Sequence, residues 1–133
     1  MIRRSITAGL ALAVSVALAG CGGGTSQGPG TGPSQATTKA CAQAAADADF
    51  AGTVTIKGFT MTPKTVSIKV NETVAWTNQD SANHTATLDN GDCSTDNIAS
   101  GTTAKLTFTV PGTYTYHCRI HSSMTGFTVE VTG

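Results

Sequence analysis

The side chains best suited to chemistry in this 133-residue sequence lie in one short segment near its C-terminal end. Cys118, His121 and Met124 follow one another at intervals of three residues, and His84 lies upstream of them. One thiolate, two imidazoles and one thioether form a soft donor set that suits copper, whereas carboxylate sets suit magnesium or calcium. We therefore expect these four residues to hold one copper ion. A site filled by protein ligands argues against an enzyme, because catalytic metals keep an open coordination position.

The elements that must position these residues alternate apolar and polar side chains with a period of two, which is typical of half-buried β-strands. Turn-forming residues separate the alternating segments. This pattern predicts an all-β fold, an antiparallel Greek-key β-sandwich. Only the alanine-rich segment 41–49 fits a short helical turn, and it fits a linker equally well. The alternation is clearest at Val54 and Ile56, at Val66, Ile68 and Val70, and at Ala104, Leu106, Phe108 and Val110.

Strand parity predicts which side chains face the core beside the expected copper site. In the segment 113–118, Tyr114, Tyr116 and Cys118 share one face, because successive side chains of a strand point to opposite sides. His117 lies on the other face. We therefore exclude His117 from the ligand set, although it is adjacent to Cys118.

The spacing of Cys118, His121 and Met124 resembles the C-x2-H-x2-M ligand loop of the cupredoxins, which are blue copper proteins. The two-residue gap before the methionine is most similar to amicyanin-type members. The likeness covers roughly residues 50–133 and includes His84. Further matching positions are Phe59, Pro63, 66–70, 74–78, Asp80 and 112–114.

This resemblance implies a cupredoxin-type sandwich around one type 1 copper ion, with the four residues named above as ligands. It implies a carrier of single electrons that cycles between Cu(II) and Cu(I) by outer-sphere transfer between a donor and an acceptor protein. Members of the family expose one edge of the loop histidine through an apolar surface where partners dock. By resemblance His121 takes this role, and we place the docking patch at Ile120, Met61 and Pro63. A place in the buried core is the alternative for Met61 and for Pro63.

Three positions next to the ligands depart from the family pattern, and one of them is Asn83, which precedes His84 where proline is frequent. Thr85 follows His84 where asparagine is common, which leaves open whether a side chain still ties the two ligand loops together. A backbone N–H of Thr85 is still able to donate to the Cys118 sulfur. Arg119 stands where a small hydroxyl residue is frequent, and its positive charge favours Cu(I) unless solvent screens it.

Other polar residues are expected to act as scaffold or surface. Asn78 and Asp80 are of the types that order a turn through side-chain to backbone hydrogen bonds, here the turn that leads to His84. Asp89, Asp92 and Asp96 form an acidic loop that offers a surface to a basic partner.

The N-terminal region has the pattern of a bacterial lipoprotein. Residues 1–20 read as a signal peptide, because their apolar run is too short to span a bilayer as a mature helix. Cys21 ends a lipoprotein-type box, so we expect it to carry lipid as the first mature residue. Residues 21–40 are rich in Gly, Ser, Thr and Pro and predict a flexible linker. Residues 41–133 then form the single domain.

The remaining cysteines, Cys41 and Cys93, are candidates for a disulfide because an exported protein lies in an oxidising compartment. Two unpaired thiols are the alternative. We expect the domain to face the periplasm or the exterior, attached to the cell membrane or outer membrane through its lipid alone.

The charge balance excludes one class of partner. After removal of residues 1–20, six Lys and Arg remain against eight Asp and Glu, a formal net charge of −2. No nucleic-acid binding is implied, and we expect a monomer.

Three other interpretations stay open on the sequence alone. An immunoglobulin-like adhesion domain has a core tryptophan and a Tyr-x-Cys, as Trp76 and Tyr116 to Cys118 do, but Cys41 lies too far upstream. A zinc site using Cys93 with the other donors would leave Met124 idle. A copper-binding lipoprotein for copper delivery or buffering at the cell surface uses the same ligands without electron transfer.

Overall fold

The structure, a computed structural model, describes residues 38–133, which form nine strands and no helix. The short β1, β3 and β6 lie at sheet edges, as does the longer β4, and the other five strands form the centres of the two sheets. The strands are β1 (Cys41–Gln43), β2 (Gly52–Ile56), β3 (Met61–Thr62), β4 (Thr65–Lys69), β5 (Thr73–Asn78), β6 (Thr87–Leu88), β7 (Thr103–Phe108), β8 (Gly112–His117) and β9 (Phe127–Thr132).

The strands form two sheets, one in the order β1-β7-β5-β2-β3 and the other in the order β4-β9-β8-β6. The predicted all-β sandwich is confirmed. Two neighbouring pairs, β2 with β5 and β4 with β9, nevertheless run parallel. The chain leaves the first sheet to form β4 and then returns beside β2, and such a crossover allows parallel neighbours where a tight hairpin does not.

The alanine-rich segment begins as a strand, which the helical or linker interpretation of 41–49 did not anticipate. Cys41–Gln43 pairs antiparallel with β7, with Cys41 opposite Phe108 and Gln43 opposite Leu106. Alanine has a low intrinsic preference for strands, so the pairing with an exposed sheet edge determines the conformation here. The burial of Cys41 at this edge places its sulfur inside the domain.

The core lies between the two sheets and contains the aromatic pair Trp76 and Tyr116. Their rings are 5.6 Å apart and nearly perpendicular, an edge-to-face arrangement. Burial raises the pKa of Tyr116 to about 12. The sheets approach closely at Gly52, where a Cβ atom would lie 2.8 Å from a methyl group of Val66 in the opposite sheet.

The parity expected for β8 is confirmed. Tyr116 and Cys118 are buried and Tyr114 is partly buried, whereas Thr115 is exposed and the ring of His117 reaches solvent. β8 therefore delivers Cys118 to the interior at one end of the sandwich. We call this end the ligand end. No helix within the described residues has the length and apolar character needed to cross a bilayer.

Candidate metal centre

Three of the expected ligands meet at the ligand end. One donor atom from each of His84, Cys118 and His121 lies within 4.8 Å of the other two. The Cys118 Sγ atom lies 3.8 Å from His84 Nδ1 and 3.7 Å from His121 Nδ1. His84 and Cys118 are fully buried and His121 is partly exposed. The cluster is therefore buried except at the imidazole of His121, which reaches solvent.

The loop after β8 is folded tightly by its own backbone. The Cys118 N–H donates to the carbonyl of Met124 at 2.9 Å, and the Met124 N–H donates to the carbonyl of His121 at 3.0 Å. These two bonds fold the segment 118–124 back on itself. Met124 is consequently buried, with 1% of its surface exposed. Its burial within this closed loop is compatible with the axial role that the sequence predicts.

His84 is held from the other side by a backbone bridge. Its N–H and carbonyl both pair with Ile98, at 3.2 and 2.8 Å. The Asn78 side chain donates to the carbonyls of Ala82 and Ile98, and its Oδ1 accepts the N–H of Asp80. The expectation that Asn78 orders this turn is confirmed. The approach to His84 is thus fixed by hydrogen bonds at both ends.

Asp80 reaches further than the turn it was expected to order. Its carboxylate accepts the backbone N–H groups of Gly58 and Phe59, at 2.6 and 3.0 Å, and lies 3.1 Å from His84 Nε2. The N–H donors of Phe59 and Gly58 lower the pKa of Asp80.

This carboxylate also determines the tautomer of His84. An ionised carboxylate only accepts hydrogen bonds, so Nε2 of the neutral imidazole must carry the proton. The lone pair then lies on Nδ1, which is the atom that faces Cys118. Asp80 therefore orients the imidazole of His84 and leaves its Nδ1 free to bind a metal, but it is not itself a metal ligand.

The side chain of Thr85 does tie the two ligand loops together, which the replacement of asparagine at this position had left open. Its backbone N–H points at the Cys118 sulfur at 3.4 Å, and its Oγ1 accepts the backbone N–H of Arg119 at 2.9 Å. A threonine hydroxyl thus supplies the tie between the two ligand loops. The backbone N–H of Thr85 is thus directed at the donor atom of an expected metal ligand.

The docking patch differs from the one expected. Met61 does not belong to it and takes its alternative place in the core: it lies opposite Ile56 in the β2–β3 pair, with 2% of its surface exposed. Pro63 and Ile120 are exposed, as expected. Sequence reasoning missed Phe59, which is 52% exposed and packs edge-on against both ligand rings, 5.0 Å from His121 and 5.6 Å from His84.

Phe59 owes its position to an unusual backbone conformation. Its φ angle is +57°, which non-glycine residues seldom adopt, and Asp80 binds its N–H in this conformation. We use the name ligand-end patch for Phe59, Ile120 and the exposed edge of His121.

His117 has a separate partner. Its Nδ1 lies 2.5 Å from a carboxylate oxygen of Asp89, and both side chains are partly exposed. Hydrogen bonding by Thr115 and then by His117 lowers the pKa of Asp89. The pair lies outside the donor cluster, in agreement with the parity of β8.

Cys41 and Cys93 are joined in a disulfide, with their Cα atoms 6.0 Å apart. The bond connects β1 to a segment that also binds the chain just after His84. In that segment Thr95 exchanges two hydrogen bonds with Ala86, each of 2.9 Å. Because Cys93 is committed to the disulfide, the zinc interpretation loses its fourth ligand.

The donor set fits copper. Metal–nitrogen and metal–sulfur bonds of about 2.0–2.3 Å span donor separations of the size seen between Cys118 and the two histidines. One thiolate and two imidazoles with a buried thioether nearby favour copper over metals that prefer oxygen ligands. Cys21, the expected lipidation site, lies outside the described residues.

Comparison with known proteins agrees with the site and the fold. A family model described as a cupredoxin-like domain matches residues 34–129, and the chain belongs to this family. The chain is thus a cupredoxin, and its fold and donor set are those of a blue copper electron carrier with one type 1 copper ion as cofactor.

Among solved structures, the chain is similar to the Cu(I) form of an amicyanin variant, with 30% identity over 71% of this chain and 94% of that chain, and a TM-score of 0.55. The amicyanin of Paracoccus versutus has the same fold, with 24% identity over 71% of this chain and 99% of that chain, and a TM-score of 0.61. A purple cupredoxin from Nitrosopumilus maritimus is 25% identical over 62% of this chain and all of that chain, with a TM-score of 0.56. A comparison with curated protein sequences found no significant match.

The role of Asp80 generates a prediction. Replacement of Asp80 by asparagine removes the negative charge that accepts from His84, Gly58 and Phe59, so His84 is oriented less firmly. We expect the affinity for copper to fall about 10- to 100-fold, the usual effect of losing a group that orients a metal ligand. Competition with a copper chelator measures this affinity. Asp96→Asn, the same change at an exposed position, is the control, and equal affinities in the two variants would contradict the role.

Proposed function

We propose that this protein is a membrane-tethered type 1 copper protein that carries single electrons between two redox proteins. The observation that carries the proposal is the cluster of Cys118, His84 and His121. His84 and Cys118 are buried, and only His121 is partly exposed to solvent. We assign Met124 as the fourth, axial ligand.

Each residue of the cluster has a distinct task. Copper, when bound, supplies reversible one-electron chemistry between Cu(II) and Cu(I). Cys118 binds as a thiolate, and the N–H of Thr85 stabilises that charge. His84 binds through Nδ1 because Asp80 occupies Nε2. Met124 supplies a weak, soft ligand that tunes the potential.

The hydrogen bonds around the cluster support electron transfer over substrate chemistry. The backbone bonds within 118–124, the Ile98 bridge and the Thr85 tie hold the donors from two loops at once. Donors held in this way would hold a copper ion with little movement between its two oxidation states. A site filled by four protein ligands also leaves no open position for a substrate.

The exposed edge of His121 is the proposed entry and exit point for electrons. It lies within the ligand-end patch, where Phe59 and Ile120 present apolar surface to solvent. A small apolar contact surface around a redox centre suits short encounters, because weak electron-transfer complexes bury little area.

We further propose that lipid on Cys21 anchors the mature chain to a bacterial membrane and that residues 22–38 give the domain reach above it, since Ala40 is already buried in the core. An acyl chain supplies affinity for the bilayer by burying methylene groups, about 0.8 kcal/mol for each. The domain then faces the periplasm or the exterior, where the Cys41–Cys93 disulfide persists.

The two candidate functions differ in whether the protein keeps its copper: an electron carrier retains the ion through redox cycles, whereas a copper-delivery protein releases it. We expect the copper-loaded protein to keep its metal through repeated reduction by ascorbate and oxidation by ferricyanide in the presence of a strong Cu(I) chelator, measured as recovery of the oxidised spectrum. A His121→Gly variant, which opens the solvent side of the cluster, should lose copper faster. Transfer of the copper to the chelator within one cycle would favour the delivery role.

Mass spectrometry tests the anchor. We expect the chain expressed in a bacterium to begin at a diacylated or triacylated Cys21 and to enter the detergent phase on extraction. A Cys21→Ala variant should lack the acyl mass and leave the membrane fraction. A mature wild-type chain of unmodified mass in the soluble fraction would contradict the anchor and leave the copper site unaffected.

A further inference from the structure

The ligand-end patch is framed by positive charge. Lys57 lies two residues before Phe59, in a turn closed by two backbone hydrogen bonds between Lys57 and Thr60. Arg119 precedes Ile120 directly, and its backbone is fixed by Thr85. Both cationic side chains are exposed, so their charges are available to a protein that contacts the patch.

A third cation completes the frame from the other sheet. Lys64 is exposed and precedes β4. Its Cε atom lies 4.0 Å from the position that a Cβ atom would take at Gly126, at the end of the ligand loop. The two segments that border the patch, 57–64 and 118–126, hold three cations and no carboxylate.

Asp80 is the carboxylate beside this frame, and its oxygens are directed inward. They accept from Gly58 and Phe59 and face His84, and 12% of the side chain is exposed. Its oxygens are thus taken up by contacts within the domain, whereas the three cations around the patch are exposed.

Of the remaining carboxylates, Asp89 lies near the ligand end, where it bonds to His117 on the outer face of β8. Asp47, Asp49 and Glu72 lie at the far end of the sandwich, in the loops that lead into β2 and β5. Asp89, Asp92 and Asp96 lie in the acidic loop after β6, and Glu130 lies within β9. The described residues have six Lys and Arg against eight Asp and Glu, a formal charge of −2. The two segments that border the patch thus carry charge of the opposite sign to the net charge of the domain.

We infer that the redox protein docking on the ligand-end patch presents an acidic surface around its own electron-transfer site. This inference rests on the proposed function and narrows it to one class of partner. It differs from the expectation that the acidic loop offers a surface to a basic partner. Charges that surround a contact site steer encounters more strongly than the net charge when they lie within a Debye length of the approaching partner, about 10 Å at 0.1 M salt.

Small redox ions of opposite charge test the field at the site directly. The reduced, copper-loaded protein is mixed with ferricyanide, an anion, or with tris(phenanthroline)cobalt(III), a cation, and the oxidation rate is followed at increasing ionic strength. We expect the ferricyanide rate constant to fall about tenfold from low to high salt and the cobalt rate constant to rise or stay level. A ferricyanide rate that rises with salt, as the net charge of −2 dictates, would overturn the inference.

β4 provides a matched pair of variants. Lys64 lies before the strand and Lys69 ends it, so their Cα atoms are about 17 Å apart. Lys64→Gln and Lys69→Gln change the net charge equally. We expect Lys64→Gln to reduce the ferricyanide rate at low salt two- to threefold or more and Lys69→Gln to leave it close to the wild-type value. Equal rates in the two variants would show that position relative to the patch has no effect, which would also overturn the inference.

The same experiment separates this inference from the proposed function. If the copper is oxidised and reduced reversibly but the ferricyanide rate rises with salt, the protein remains an electron carrier and its partner is not the acidic one inferred here. A protein whose copper does not cycle loses both the proposed function and its partner. Reduction potentials of the variants are measured alongside, because equal potentials exclude a change in driving force as the cause of a rate difference.

Discussion

The contact between the two ligand loops is the constraint on which the rest of the site depends. Thr85 makes it twice, through its backbone N–H to the Cys118 sulfur and through its hydroxyl to the N–H of Arg119. The loops come from different sheets, since β5 leads to His84 and β8 leads to Cys118. Their contact therefore requires the sandwich to be assembled first. A ligand cluster formed in this way is a property of the whole fold, because no single segment contains it.

The surrounding structure stabilises that contact from several directions. The Ile98 bridge holds the backbone of His84, and the disulfide connects the neighbouring segment to β1. Asp80 joins the turn that carries Phe59 to the outer nitrogen of His84. The carboxylate of Asp80 thus bonds both to the buried ligand His84 and to the backbone of Phe59 in the ligand-end patch. A change at the surface turn is consequently able to reach the metal centre through two hydrogen bonds.

Much of this architecture could be predicted from the sequence, because it depends on local periodicity. Alternation along β8 was enough to direct Cys118 inward and His117 outward, and the spacing of the four donors was enough to suggest copper. The strand at Cys41 could not be predicted, since its conformation comes from pairing with β7 and its alanines favour helix. The parallel pairs were also inaccessible, because the direction of neighbouring strands depends on the path of the chain between sheets.

The surface of the site was predicted less well than its ligands. Phe59 and Met61 are two residues apart and both are apolar, so the sequence does not distinguish the buried side chain from the exposed one. Pairing of Met61 with Ile56 in the edge strand turns it to the core, and the positive φ of Phe59 turns its ring toward the histidines. The link from Asp80 to His84 spans four residues in a loop without periodicity, and only the folded geometry reveals it.

The absorption and EPR spectra of the Cu(II)-loaded protein test the central claim most directly, because they report whether a cysteine thiolate binds the metal. We expect an intense blue absorption band and an EPR signal with narrow copper hyperfine splitting. Ascorbate should abolish both signals, and an oxidant should restore them. Both should vanish in Cys118→Ser and persist in His117→Ala, the adjacent residue on the opposite face of β8. A weakly absorbing copper adduct in the wild-type protein, or an intense band that survives in Cys118→Ser, would contradict the account.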